Sequence, residues 1–132
     1  MSAATKFPHV RAFTITYFPL PDRPVQQNAE WQTAFANHKV WLNGIEAKGR
    51  LLFGGGLEVN AAKPNAALAP SISGLVVVLA KDLAEAEEMA SQDPLLKEGY
   101  RAHNVQTWNV TYGHSELAEE FVRVSNVTLH DL

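Results

Sequence analysis

The sequence predicts an α+β fold in which a four-stranded antiparallel sheet carries two helices on one face. Two observations support this. Strand-like segments, recognised by two-residue alternation or by dense β-branched content, flank each of two segments with helical periodicity. The resulting order is strand, helix, strand, a long loop, then strand, helix, strand, which is the order of ferredoxin-like split βαβ folds. The 132 residues suffice for one such domain.

The first predicted strand covers residues 11–20, RAFTITYFPL. Phe13, Ile15 and Tyr17 fall on one of its faces, and the β-branched and aromatic content favours a strand. Three prolines within residues 19–24 then interrupt regular structure, because proline fixes φ and lacks a backbone donor. Residues 1–10 show no comparable pattern, and we interpret them as a flexible N-terminal arm.

A helix is predicted over residues 25–48, followed by a second strand over residues 50–59. Gly49 stands where a helix C-cap is expected, and Gly54, Gly55 and Gly56 interrupt the strand. The helical segment places one stripe of side chains at steps of three and four, namely Trp31, Phe35, His38, Leu42 and Ile45.

The second half begins after a long loop, residues 60–73, of the kind that often forms lids or binding sites. GLVVVLA, residues 74–80, is predicted to be a buried central strand, and Asp82 is predicted to cap a helix that ends at Asp93-Pro94. The fourth strand, residues 101–113, completes a domain over residues 11–113.

Residues 114–132 form a C-terminal extension. SELAEEFV, residues 115–122, has the pattern of a short amphipathic helix, and the following segment resembles a strand. A sheet with helices on one face only leaves its other face bare. We therefore expect a two-fold homodimer with the sheets face to face, in which this extension could stabilise the partner contact.

Composition excludes several classes of function. A net charge of −3 gives no basic surface for nucleic acid or an anionic membrane. The absence of cysteine excludes disulfides, thiolate metal sites and thiol nucleophiles. No apolar run approaches the ~18 residues of a membrane span, and no secretory signal is visible, so a cytoplasmic protein is expected. No histidine cluster has metal-ligand spacing, and no glycine motif fits a dinucleotide or phosphate.

Several short motifs, in their order and spacing, resemble the YciI-like (YCII-related) family. His38 precedes Gly49 by eleven residues, RLLFGGGL stands where the family has LLxAGP, and Asp93-Pro94 matches the family's DP. The resemblance covers roughly residues 11–112. It implies a dimeric α+β barrel related in fold to muconolactone isomerase, with His38 and Asp93 side by side in a pocket. The family's Gly-Pro is replaced by Gly55-Gly56, which alters the expected pocket floor.

Each candidate site residue also has a structural interpretation. His38 could be a general base whose ring is oriented by Asp93, or a histidine satisfied in the core; Asp93 could simply be a helix cap. Phe35 and Trp41 would exclude water beside His38. The glycines Gly54, Gly55 and Gly56 could admit a ligand or form a β-bulge. His103 could line the pocket or be exposed.

The resulting expectation is a cofactor-independent enzyme of the isomerase or lyase type that binds no metal. His38 and Asp93 would move a proton on a small cyclic or acidic organic compound during isomerisation, elimination or decarboxylation. Two alternatives use the same pocket: a non-catalytic ligand-binding or accessory dimer, and a cofactor-free monooxygenase.

Overall fold

The structure is a computed structural model that describes residues 4–20, 28–58 and 72–130. Most of the predicted loop over residues 60–73 therefore lies outside the described residues. The elements follow in the order β1 (Ala4–Pro19), α1 (Ala29–Ala47), β2 (Leu51–Gly56), β3 (Gly74–Val78), α2 (Leu83–Ser91), α3 (Pro94–Lys97), β4 (Arg101–His114) and α4 (Ser115–His130).

The four strands form one antiparallel sheet in the order β2-β3-β1-β4. The two central strands, β3 and β1, pair through Ile15 and Val76, and β1 pairs with β4 through Ile15 and Val105. This order confirms the predicted α+β, ferredoxin-like fold. The GLVVV segment is central, as its continuous apolar content predicts, and its three valines are buried.

The main hydrophobic core lies between one face of the sheet and helices α1 and α2. Alternate residues of β1 point into it, because successive side chains of a strand lie on opposite faces. Its buried members are Phe13, Ile15, Tyr17, Ile45, Val76, Val78, Ala80, Ala86 and Ala90. Tyr17 is the one buried residue of this cluster with a polar side-chain atom, and its hydroxyl therefore needs a partner.

The helix boundaries follow from local capping. The side chain of Asn28 accepts a hydrogen bond from the Trp31 amide at 2.9 Å, which starts α1, and Gly49 takes the left-handed conformation that ends it (φ 71°). Asp82 caps α2 as predicted, because its carboxylate accepts from the Glu85 amide at 2.9 Å. Gly99 (φ 74°) follows α3 in the same left-handed conformation.

Two boundaries differ from the predictions. β1 begins at Ala4, because Ala4, Thr5 and Lys6 pair with β4, so residues 4–10 extend the strand rather than form a separate arm. The predicted strand-like segment at the end of the chain is wrong: α4 continues from Ser115 to His130.

Tertiary packing explains the longer helix. Ala118, Phe121, Val122 and Val124 recur at helical spacing and pack against a second apolar cluster on the sheet face opposite α1 and α2. This packing outweighs the weaker helix propensity of the β-branched valines. The helix therefore extends through residues whose local preference favours a strand.

The face expected to be bare is thus partly covered within one chain. Helix α4 covers Ala12, Val77, Leu79 and Val110. Further along the same face two large apolar side chains remain exposed, Phe53 by 67% and Trp108 by 45%. None of the helices in the described part of the chain is long and apolar enough to span a bilayer.

Candidate active site

Asp93 is a fully buried carboxylate at the start of α3. It is the N-cap of that helix, since its Oδ1 accepts from the Leu95 amide at 3.0 Å and Pro94 occupies the first helical position. The predicted capping role is therefore present. Three donors converge on this one side chain: the Leu95 amide, the His38 ring and the Tyr17 hydroxyl.

His38 lies on α1 with its ring directed at Asp93. Its Nδ1 is 2.8 Å from Oδ1 and 2.9 Å from Oδ2 of the carboxylate. A carboxylate can only accept, so Nδ1 must carry the proton in this contact, and the neutral ring then keeps its lone pair on Nε2. Because the side chain of His38 is only 12% exposed, this pairing is well shielded from water.

Aromatic side chains one helical turn before and after His38 lie near its ring. Phe35 and Trp41 are stacked with it at centroid distances of 5.9 and 5.8 Å, with interplanar angles of 29° and 25°. Aromatic faces attract a cation, so both rings are placed to stabilise positive charge that develops on the imidazole during a reaction. Phe35 belongs to the stripe that predicted an inward-facing histidine, whereas Trp41 lies next to that stripe on α1.

Tyr17 is a site residue that sequence reasoning missed. Its hydroxyl donates to Oδ2 of Asp93, and its ring meets His38 edge-on at 5.8 Å. Burial, reinforced by the adjacent Asp93 charge, raises the pKa of the Tyr17 phenol well above its usual value. Tyr17 therefore stays a neutral donor that helps to fix the carboxylate. The sequence places Tyr17 on the same face of β1 as Phe13 and Ile15, and this position could have identified it as a buried polar residue.

A cavity of about 260 Å³ opens beside His38, between α1 and the sheet. Its wall includes aromatic and aliphatic side chains from α1 together with the glycines of β2. For scale, a cavity of roughly 150 Å³ accommodates benzene, so this one suits a single substituted ring. The residues that line it include Trp31, Phe35, His38, Lys39, Gly54 and Arg101.

The glycines of β2 form part of this wall. A methyl group added at Gly54 would meet Val76 and Leu42 only at ordinary contact distances of 3.6 and 3.8 Å. Gly55 and Gly56 also line the cavity, and an added methyl group at Gly55 would meet nothing within 4 Å. The glycines are therefore not forced by close packing, and a side chain at Gly54 would enter the space beside Val76 and Leu42, which also line the cavity.

Two predicted substrate-binding residues lie elsewhere. Trp41 is not among the residues that line the cavity; it stacks on His38 and donates from its indole to the Met89 carbonyl at 3.1 Å. His103 is exposed on the edge strand β4, opposite Tyr17 in the pairing, and does not line the cavity either. The structure thus brings together His38, Asp93, Phe35 and the three glycines.

The cavity wall carries positive charge. Lys39 and Arg101 line it, while none of its described lining residues is Asp or Glu. The Arg101 guanidinium lies over the Trp31 ring, 4.9 Å from its centroid, and burial lowers its pKa. Among residues 4–20, 28–58 and 72–130, no group of three or more His, Asp or Glu side chains is arranged to hold a metal ion.

Comparison with known proteins agrees with this architecture. The family model of the YCII-related domain matches residues 19–109, the span that contains α1, the glycines and Asp93. A search of curated proteins finds no significant match.

A solved structure that resembles the chain is 5-chloro-2-hydroxyhydroquinone dehydrochlorinase (TftG) from Burkholderia phenoliruptrix, in complex with 2,5-dihydroxybenzoquinone. The TM-score is 0.50 at 19% sequence identity, over 74% of this chain and 93% of that one. At this identity the similarity establishes a shared fold.

Proposed function

Because the chain belongs to the YCII-related domain family, we propose that it is an enzyme that transfers a proton on a small organic compound, with His38 as general acid–base. The observation that carries the proposal is the contact of His38 Nδ1 with both oxygens of buried Asp93, at the wall of a ring-sized cavity. Asp93 is a positioning residue, since it acts through His38.

The geometry suits a base that becomes charged during the reaction. With Nδ1–H held by Asp93, Nε2 has the lone pair and can accept a proton from a molecule in the cavity. The imidazolium that results is stabilised by the Asp93 carboxylate and by the faces of Phe35 and Trp41. These interactions are stronger with the charged ring than with the neutral one, which is the requirement for lowering a barrier.

Proton transfer by an imidazole serves isomerisation, elimination and decarboxylation, and needs no cofactor. Elimination has independent support, because the similar solved structure is named as a dehydrochlorinase. In an elimination here, Nε2 of His38 would take a proton from the substrate, the electron pair would form a new double bond, and the carbon–chlorine bond would break to release chloride. The overall reaction is the loss of HCl from the substrate, and His38 later passes the proton to solvent.

The first experiment is chloride release from 5-chloro-2-hydroxyhydroquinone, together with deuterium incorporation from D₂O into a panel of small lactones and ring acids, followed by NMR. Wild-type protein and His103→Gln, which changes an exposed histidine outside the cavity, should react alike. His38→Gln should lose roughly 10²–10⁴-fold in rate. A protein that binds compounds of the panel but neither releases chloride nor exchanges hydrogen would be a ligand-binding protein.

We also propose that two copies associate through the open part of the sheet face. Phe53 and Trp108 are exposed there beside the apolar cluster covered by α4. Burying such large apolar side chains against a second copy would remove area from water at about 25 cal/mol per Å². Continuity with the covered cluster favours a face-to-face pair in which α4 borders the contact.

A further inference from the structure

Arg101 lines the same cavity as His38, at the opposite end of its aromatic wall. Along α1, Trp31 stacks on Phe35 at 5.7 Å, and Phe35 stacks near His38 at 5.9 Å. The Arg101 guanidinium lies over Trp31, so the imidazole and the guanidinium lie at opposite ends of one aromatic wall. His38 follows Trp31 by seven positions of α1, a rise of ~10 Å along the helix axis.

The Arg101 guanidinium has more N–H donors than its hydrogen bond within the chain uses. Its Nη1 donates to the Tyr100 carbonyl at 2.9 Å, and an arginine has five N–H donors. In the part of the chain that the structure describes, no carboxylate lies within ion-pair distance of Arg101. By contrast, Arg50 is paired with Glu85 and Arg123 with Glu120.

A partly buried cation without a counter-ion is costly unless something compensates it. A carboxylate is the group whose planar pair of oxygens matches the guanidinium fork, with charge-assisted hydrogen bonds roughly twice as strong as neutral ones. The lining contributes Lys39 as a second positive charge and no carboxylate that would repel an anion. Between the two ends, the side of the cavity formed by α1 is aromatic at Trp31 and Phe35, which suits a planar ring.

We propose that Arg101 forms an anion subsite and that the ligand is a planar ring carrying a carboxylate. The ring would lie along Trp31 and Phe35, its carboxylate on Arg101 and its reacting hydrogen at His38. This inference rests on the proposed function for the role of His38, but the anion subsite can be tested by binding alone.

The test is an NMR titration that compares benzoate with benzamide, which has nearly the same shape and no charge. Wild-type protein should bind benzoate roughly 10- to 100-fold more tightly, with shifts at the Trp31 indole and the Arg101 side chain. Arg101→Gln, which retains donors for the Tyr100 carbonyl, should lose this preference and keep its affinity for benzamide. Arg101→Lys should keep part of the preference. Thermal unfolding followed by circular dichroism confirms that each variant is folded.

Two further variants test which positive charge in the cavity causes the preference for benzoate. His38→Gln should retain the preference for benzoate, and Lys39→Gln should lose less of it than Arg101→Gln does. Equal binding of the two probes by wild-type protein, no detectable benzoate binding at millimolar concentration, or a preference that survives Arg101→Gln would overturn the inference. Failure of the proposed function has a different signature: a normal benzoate preference together with no hydrogen exchange on any bound compound.

Discussion

His38 Nδ1 lies within 2.9 Å of both carboxylate oxygens of Asp93, although the two residues are fifty-five positions apart in the chain. The contact depends on α3 beginning at Asp93, because the same side chain caps that helix and receives the imidazole. One residue therefore fixes both a helix start and a ring orientation. The ring is held with Nε2 as its available nitrogen.

Asp93→Asn should abolish most activity while leaving the fold intact. Asparagine is as good an N-cap as aspartate, so α3 should still begin at this residue. Its amide group, however, can donate to Nδ1, which moves the ring proton to Nε2 and removes the base. We expect kcat to fall roughly 10²–10⁴-fold. Steady-state kinetics beside a thermal melt measures this, and an active Asp93→Asn protein would contradict the assigned role of Asp93.

Tyr17→Phe should change the response of stability to alkaline pH. The pKa of Tyr17 is raised in the folded protein by burial and by Asp93, whereas in the unfolded chain the phenol ionises near pH ~10. Above that pH the unfolded state releases a proton that the folded state keeps, so stability falls with rising pH; below it, this contribution is complete. Tyr17 faces Asp93 and His38, and the phenylalanine ring keeps the packing.

Denaturant unfolding at several pH values measures that difference. Tyr17→Phe should be less stable than wild type by about 1–3 kcal/mol at pH 7, because Asp93 loses a donor. Above pH ~10 the wild-type free energy of unfolding should fall more steeply than that of the variant, by up to about 1.4 kcal/mol per pH unit. Parallel curves for the two proteins at alkaline pH would show that Tyr17 ionises as freely in the folded state.

Gly54→Leu should fill the cavity without unfolding the protein. The first carbon of the new side chain fits at ordinary contact distances, and the rest extends into the space beneath α1. We expect ligand affinity to fall at least about tenfold with the melting temperature nearly unchanged. Gly44→Leu is the matched control, because Gly44 is exposed on α1, lies outside the cavity wall and has open space around it. Unaltered binding by Gly54→Leu would place the ligand elsewhere.

Phe53→Glu should weaken the proposed association of two copies. A buried, unpaired carboxylate at the contact would be costly, whereas the same residue on a monomer surface is tolerated. Sedimentation equilibrium should show a shift from twice the chain mass towards the chain mass. Val40→Glu introduces the same charge at an equally exposed apolar residue on α1 and should leave the mass unchanged. A wild-type protein that sediments as a monomer would refute the proposed dimer.

Much of the fold was predictable from local patterns, and the errors have physical causes. The strand alternation of Phe13, Ile15 and Tyr17 and the cap at Asp82 are short-range signals, and both appear in the structure. Helix α4 was predicted too short, because Val124, beyond the predicted end at residue 122, favours a strand locally and is held in a helix by packing on the sheet.

The site was harder to predict because it depends on contacts between distant parts of the chain. Periodicity places His38 and Trp41 on neighbouring positions of α1, but it cannot say that the cavity lies beside Phe35 and not beside Trp41. The pairing of His38 with Asp93 was expected from resemblance to a family and not from spacing. For Tyr17, the sequence did contain an indication, because a hydroxyl on the inward face of a strand requires a buried hydrogen-bond partner. In the structure that partner is Asp93.

Chemical rescue of His38→Ala tests the central claim, that the imidazole of His38 itself moves the proton. Truncation leaves a space beside Asp93 that free imidazole can enter. We predict that imidazole restores turnover in a saturable way to His38→Ala, and that substituted imidazoles restore it in proportion to their basicity. The same additives should leave wild-type protein and His103→Gln unchanged. Full activity of His38→Ala without imidazole would contradict the account.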